Sequence, residues 1–222
     1  MKVSDGVYLV GGNDLSDPKD CCVYLVDGGD ELALIDAGAG EGFPAICENL
    51  RDDGFDPRRL ATLVLTHCHI DHSGGIPDFV RSFGVKVVAH QAAAEILAAR
   101  DPLRTAAAWY NMEVPEIKVD QTFSGPELKL QVGQQELTCR HTPGHSPDSI
   151  VVYLDRGGRR VLFGQDVHGP LHPALGSDAD LYKKGLEELI ALNADVLCEG
   201  HFGVYQPRAK VEAYIRSCLR GV

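Results

Sequence analysis

Three histidines and an aspartate fall within six consecutive residues, His67-Cys68-His69-Ile70-Asp71-His72. Side chains of these types at this density are metal donors. Neutral imidazole binds Zn²⁺ at ~2.0–2.1 Å and carboxylate oxygen at ~2.0–2.2 Å. Leu63-Val64-Leu65 precede the run and Gly74-Gly75 follow it. A buried strand thus delivers the first donor rigidly, a tight turn gathers the others, and the glycines let the backbone pass close by. Four clustered polar groups left unpaired there would be costly, which favours a shared cation over a structural role. Thr142-Pro143-Gly144-His145-Ser146-Pro147, Gly164-Gln165-Asp166 and Glu199-Gly200-His201 each set a further donor where an apolar run meets a turn. Side chains so placed gather at one edge of a sheet. Isolated loop histidines such as His90 and His141 are read as solvated or hydrogen-bonded.

The elements that must carry these donors alternate along the chain. Val7–Val10, Cys22–Val26, Leu32–Ile35, Leu60–Thr66 and Val85–Ala89 read as strands, with Gly28-Gly29 as a hairpin turn. Phe43–Asp53, Ile76–Phe83 and Gln91–Arg100 read as helices, and a second short helix after Asp101-Pro102 holds Trp109 and Tyr110. Leu128–Val132, Glu136–Arg140, Ile150–Leu154, Arg160–Phe163 and Val196–Cys198 are the later strands. Asp180–Leu192 is amphipathic, with Leu181, Leu186, Leu189 and Ile190 on one stripe. Arg208–Leu219 is a closing helix with Val211, Ile215, Cys218 and Leu219 inward. ELALIDAGAG and RRVLFGQDVHG both run an apolar strand into an aspartate, Asp36 and Asp166, and hint at two related halves.

Composition bounds the function. The 222 residues are 44% hydrophobic, too apolar for general disorder, and no stretch approaches the ~20 apolar residues of a membrane span. The formal charge of −11 and the lack of basic runs longer than pairs argue against a nucleic-acid partner. The seven cysteines include no C-x-x-C pair and read as buried apolar residues. The N-terminus shows no signal-peptide pattern, so a cytoplasmic protein without membrane attachment is expected. No low-complexity linker interrupts the chain, which predicts one domain over 1–222.

THCHIDHSGG resembles the T-H-x-H-x-D-H-x-G-G signature of the metallo-β-lactamase superfamily. TPGHSPDS, GQDVHG and EGHFG resemble its later His, Asp and His motifs in the same order, and LIDAG near the start fits it too. The resemblance spans His67 to His201. It implies an α/β fold, a four-layer αβ/βα sandwich in which two mixed β-sheets face each other with helices on both outer surfaces. It also implies that His67, His69 and His145 hold one metal, that Asp71, His72 and His201 hold a second, and that Asp166 bridges both. Asp36 would orient a ligand by hydrogen bond. The cofactors expected are two divalent ions, zinc first, with iron or manganese as alternatives. Cys68 falls between ligands and is read as packing.

Two dications ~3.5–4 Å apart can share a hydroxide and lower the pKa of its parent water from 15.7 to about 7. Hydrolysis of a small-molecule ester, thioester or lactone is therefore the leading expectation, as in the glyoxalase II-like and lactonase-like branches. Asp71 or Asp166 would take the remaining proton, and His168, two residues past Asp166, would reach a substrate oxygen. Trp109, Tyr110, His172 and Tyr182 are further candidate contacts, set against an ordinary role in core or interface. Ser146 and Ser149 lie outside any G-x-S-x-G elbow and read as turn residues. Only 21 residues follow His201, room for one helix, so glutathione dependence is not expected. The alternative is an iron-dependent persulfide dioxygenase-like oxidoreductase on the same fold. The segment Gln91 to Glu113 either caps the pocket or forms a homodimer contact.

Overall fold

The computed structural model describes residues 1–221. Strands β1 (Lys2–Ser4), β2 (Val7–Gly11), β3 (Val23–Asp27) and β4 (Leu32–Ile35) come first. Then follow α1 (Phe43–Asp52), β5 (Leu60–Val64), α2 (Ile70–Ser73), α3 (Ile76–Phe83), β6 (Lys86–His90), α4 (Gln91–Ala99), α5 (Ala107–Tyr110) and β7 (Gln121–Phe123). The second half runs β8 (Glu127–Val132), β9 (Gln135–His141), β10 (Ile150–Arg156), β11 (Arg159–Gln165), α6 (Ala179–Ala191), β12 (Val196–Glu199), β13 (Val204–Tyr205) and α7 (Arg208–Arg220). β1 to β7 form one sheet in chain order, antiparallel as far as β4 and parallel from β4 to β7. The other sheet has the order β13-β12-β11-β10-β9-β8, with β11 and β12 its parallel pair.

Strand alternation sorts the apolar residues into layers. Val23, Leu25, Leu32 and Leu34 face Ile46 and Leu50 of α1, Phe79 of α3 and Leu97 of α4. The intervening Tyr24, Val26, Ala33 and Ile35 face the second sheet and meet Ile150, Val152 and Phe163. On the far side, Val151, Leu162 and Leu197 meet Leu186 and Leu189 of α6 and Val211 and Ile215 of α7. Helix, sheet, sheet and helix follow in that order, the αβ/βα sandwich expected.

Three strands have no counterpart in the sequence reading: β1, β7 and β13. Each lies at a sheet edge and spans two or three residues, too short to show a period. One helical stripe also differs. Leu181 is 42% exposed, and Tyr182 takes its place beside Leu186 and Leu189. The cap sets the phase: Asp178 accepts from the amides of Asp180 and Leu181, and residues 182, 186 and 189 then share the inner face.

The site's address follows from two of the parallel pairs, one in each sheet. β4 with β5, and β11 with β12, end together at one edge of the sandwich. The loops leaving them carry Asp36, the His67 run, Asp166 and His201. Asp36 (φ 64°) and Gln165 (φ 47°) both turn through the left-handed region at a strand end. The two similar segments thus share a pairing pattern and a kink. At the opposite edge the β3–β4 turn docks on the β8–β9 turn, where the Gln134 amide donates to the Gly28 carbonyl at 2.7 Å. A Cβ at Gly28 would lie 2.1 Å from the Val132 carbonyl oxygen, so this closure requires glycine.

Candidate metal centre

β5 ends one residue before Leu65-Thr66-His67, and the one-turn helix α2 folds Asp71 and His72 back beneath His67. The six side chains expected from the sequence, together with Asp166, converge. His69 Nδ1 lies 2.9 Å from His67 Nε2 and 3.1 Å from His145 Nε2. Asp166 Oδ2 is 3.5 Å from His145 Nε2 and 4.0 Å from His67 Nε2. Its other oxygen, Oδ1, faces a second group, at 3.2 Å from His72 Nε2 and 3.3 Å from His201 Nε2. Asp71 Oδ2 completes that group, 3.2 Å from His201 Nε2 and 3.6 Å from His72 Nε2.

These separations fit a cation better than hydrogen bonds. Ligand atoms 2.0–2.1 Å from a tetrahedral centre stand roughly 3.3–3.4 Å apart. Three imidazole nitrogens facing one another cannot all be paired by protons, because each neutral ring carries one N–H. His72 Nε2 and Asp166 Oδ1 are buried without a hydrogen-bond partner, a costly state that a bound cation relieves.

Charge and burial push the same way. Burial, then the neighbouring His72 and His69, hold His67 well below the usual imidazole range, and burial with His145 lowers His69 to about 3. Both stay neutral donors. Burial works against ionising Asp166, yet His72 and His201 hold its carboxyl well below the usual range. His201 moves up to about 10: burial opposes the shift, and Asp166 and Asp71 outweigh it.

The surrounding side chains fix the rings. Asp36 accepts from His72 Nδ1, from the Thr66 amide and from the Thr66 hydroxyl, each at 2.8 Å. The Nδ1–H of His145 donates to the Pro170 carbonyl at 2.9 Å. Each bond turns the opposite ring nitrogen, Nε2, towards the donor group. Two anchors escaped the sequence reading. Glu199, fully buried at the end of β12, accepts from the amides of His201 and Phe202 at 2.7 and 2.8 Å and from His168 Nδ1 at 2.9 Å. Asp148, also fully buried, accepts from the Cys68 amide at 2.7 Å and ties the His145 loop to the His67 loop. The signal for both is an acid within three residues of a donor histidine, at the end of an apolar run for Glu199 and just before one for Asp148. Cys68 points away from the donors, and burial pushes its thiol well up.

The donors floor an open cleft of about 220 Å³. Trp109 and Tyr110 of α5 line it, together with His168 and Phe202. Trp109 is 49% exposed and Phe202 61%, so neither is a core residue. The Tyr110 phenol is raised by burial and by the Asp71 carboxylate it faces. Two candidates lie elsewhere. Tyr182 is buried and donates its hydroxyl to the Val167 carbonyl, and it does not line the cleft because α6 packs it into the outer core. His172 meets the Trp109 ring edge-on at 5.2 Å and caps the Ala174 amide. The segment from Gln91 divides: α4 packs on the first sheet through Ala93 and Leu97, and α5 walls the cleft.

A model of the metallo-beta-lactamase superfamily matches residues 17–201, a span that holds every donor just described. The chain belongs to that superfamily. Human acyl-coenzyme A thioesterase MBLAC2 is 31% identical over 188 residues, covering 74% of this chain and 64% of the human protein. The chain thus spans just under two thirds of that relative's length. Atrochrysone carboxyl ACP thioesterase of Aspergillus fumigatus is 26% identical over 185 residues, covering 82% of this chain and 51% of its own. Among solved structures, a metallo-beta-lactamase of Cronobacter sakazakii superposes with a TM-score of 0.83 at 20% identity, covering 100% of this chain and 91% of that one. That likeness shows the shared fold alone. Among the described residues, no helix is long and apolar enough to cross a membrane.

Proposed function

We propose that the chain is a metal-dependent hydrolase of a small-molecule thioester, with two divalent cations, zinc first, held by the superfamily's two donor groups. The carrying observation is Asp166, whose Oδ2 faces His67 and His145 while Oδ1 faces His72 and His201. His67, His69 and His145 hold the first cation, Asp71, His72 and His201 the second, and Asp166 both. When bound, the cations supply an activated water and a Lewis acid for the carbonyl. Asp71 is the residue placed to take the proton released from water: it is ionised and faces the cleft. Tyr110, opposite it, keeps its phenolic proton and donates. Trp109 and Phe202 offer apolar walls for an acyl group. The names of the two thioesterase relatives support this bond type over ester or lactone.

The test is metal analysis together with a hydrolysis panel of thioester, ester, lactone and phosphodiester substrates. Two zinc ions per chain and a preference for thioester support the proposal. One iron per chain with oxygen consumption on persulfide would overturn it in favour of oxidoreductase chemistry.

A further inference from the structure

The cleft's polar groups divide unequally. Apart from the metal donors, its walls carry polar side chains at Trp109, Tyr110 and His168 among the described residues. Trp109 has only an N–H to give. Tyr110 keeps its phenolic proton beside the Asp71 carboxylate, so its O–H is a donor there. His168 differs, because its Nδ1 stands 2.9 Å from the Oε1 of fully buried Glu199. A carboxylate accepts, so Nδ1 carries the proton, and in the neutral ring the opposite nitrogen, Nε2, is an unprotonated acceptor. Glu199 cannot turn away, since its Oε2 accepts the amides of His201 and Phe202 at 2.7 and 2.8 Å. His168 also packs edge-on against Phe202, with ring centroids 4.8 Å apart.

We propose that His168 is a specificity residue that accepts a hydrogen bond from an amide N–H on the thiol arm of the substrate, and that Glu199 is the positioning residue that sets its tautomer. This rests on the thioester reading above. It reverses the sequence expectation that His168 reaches a substrate oxygen, since the free nitrogen now accepts instead of donating. The spacing fits an N-acylated cysteamine arm. Its amide nitrogen lies four bonds, roughly 5 Å, from the thioester carbon. The His168 and His201 ring centroids are 5.3 Å apart, so the acceptor stands one ring beyond the metal donors.

The experiment compares S-acetyl-N-acetylcysteamine with S,O-diacetyl-2-mercaptoethanol, in which an oxygen of nearly the same size replaces the amide N–H, and reads release of the thiol. Wild-type enzyme should prefer the N–H substrate in kcat/KM by roughly three- to tenfold, the range of one hydrogen bond. The ratio should collapse to near one in His168→Ala, with the metal content measured alongside to verify the fold. Glu199→Gln should also lower the ratio. One side of its amide must donate: Oε2 faces two short backbone amides, whereas Oε1 faces one longer one, from His168 at 3.3 Å, and the His168 ring, so the NH2 group falls on the His168 side and moves the ring proton to Nε2. ¹⁵N–¹H correlation spectra of the wild type should place the His168 proton on Nδ1. Equal kcat/KM for the two substrates in the wild type, or a proton on Nε2, would overturn the inference while leaving thioester hydrolysis intact. No turnover of either thioester would overturn the thioester reading and this inference with it.

Discussion

Gly200 is where a single methyl group tests the shared carboxylate. A Cβ built there would lie 2.5 Å from Asp166 Oδ1, and 3.1 and 3.2 Å from the carbonyl carbon and oxygen of Gln165. Ordinary contact begins near 3.4 Å, so Oδ1 must retreat by about 0.9 Å, several times the about 0.2 Å that metal–ligand distances tolerate. Oδ1 is the oxygen that faces His72 and His201, whereas Oδ2 faces the other group. Gly200→Ala should therefore weaken the Asp71–His72–His201 cation selectively, by at least the 10–100-fold seen when a supporting partner is lost, about 1.4–2.7 kcal/mol. Competition with a chromophoric chelator should resolve one tight and one weakened site, and elemental analysis after dialysis should give one metal per chain. Gly125→Ala serves as control, because a Cβ there meets open space. Two equally tight metals and wild-type turnover in Gly200→Ala would refute both the shared carboxylate and the division of its oxygens.

Asp36→Ala removes the acceptor of His72 Nδ1 and strands the buried Thr66 amide. Chelator competition should show the second cation about 10–100-fold weaker, and the metal-free melting temperature should fall; unchanged values of both would count against its orienting role. His90 is buried, stacks on His141 at 3.8 Å, and is lowered by burial and by His141 to about 4 from an ordinary 6.5. Below pH 6.5 the unfolded chain takes a proton that the folded chain refuses, so stability is lost as pH falls from 6.5 towards 4, by on the order of 2 kcal/mol after solvent screening. Urea midpoints at pH 7.5 and 5 should therefore differ more in the wild type than in His90→Phe, and an equal pH dependence would contradict this account. Trp109→Ala should leave stability within about 0.5 kcal/mol, because the ring is half exposed, while raising KM for long-chain thioesters several-fold more than for acetyl thioesters. A KM that rises equally for both would place the ring outside the acyl path.

The donors were legible because they are local. Four of them sit within six residues, and the other three each follow an apolar run and accompany a turn glycine. The long strands and helices were legible from period and caps, with boundaries shifting by a residue or two. What escaped depends on tertiary packing. β1, β7 and β13 exist because a neighbouring strand pairs with them, and nothing within two or three residues announces that. Tyr182 is a candidate contact in the sequence, but the phase of α6 turns it into the outer core. For Trp109 the sequence leaves a substrate contact and an ordinary core or interface role both open, and only the turn between α4 and α5 brings it to the cleft.

The buried acids explain how so polar a floor survives between two apolar layers. Asp36, Asp148 and Glu199 bind no metal in the proposed scheme, yet each is at least nine-tenths buried and each accepts a backbone amide beside a donor: Thr66, Cys68, and His201 with Phe202. A buried carboxylate is costly alone, and charge-assisted bonds to amides offset that cost only when the loop holds one conformation. Loop order and carboxylate burial therefore stabilise each other, and the donors are held close before any cation arrives. Replacing one anchor with alanine should loosen its own loop first: Asp148 the His67 run, Glu199 the His201 turn. The two losses should combine more than additively in metal affinity, because both loops reach the same Asp166.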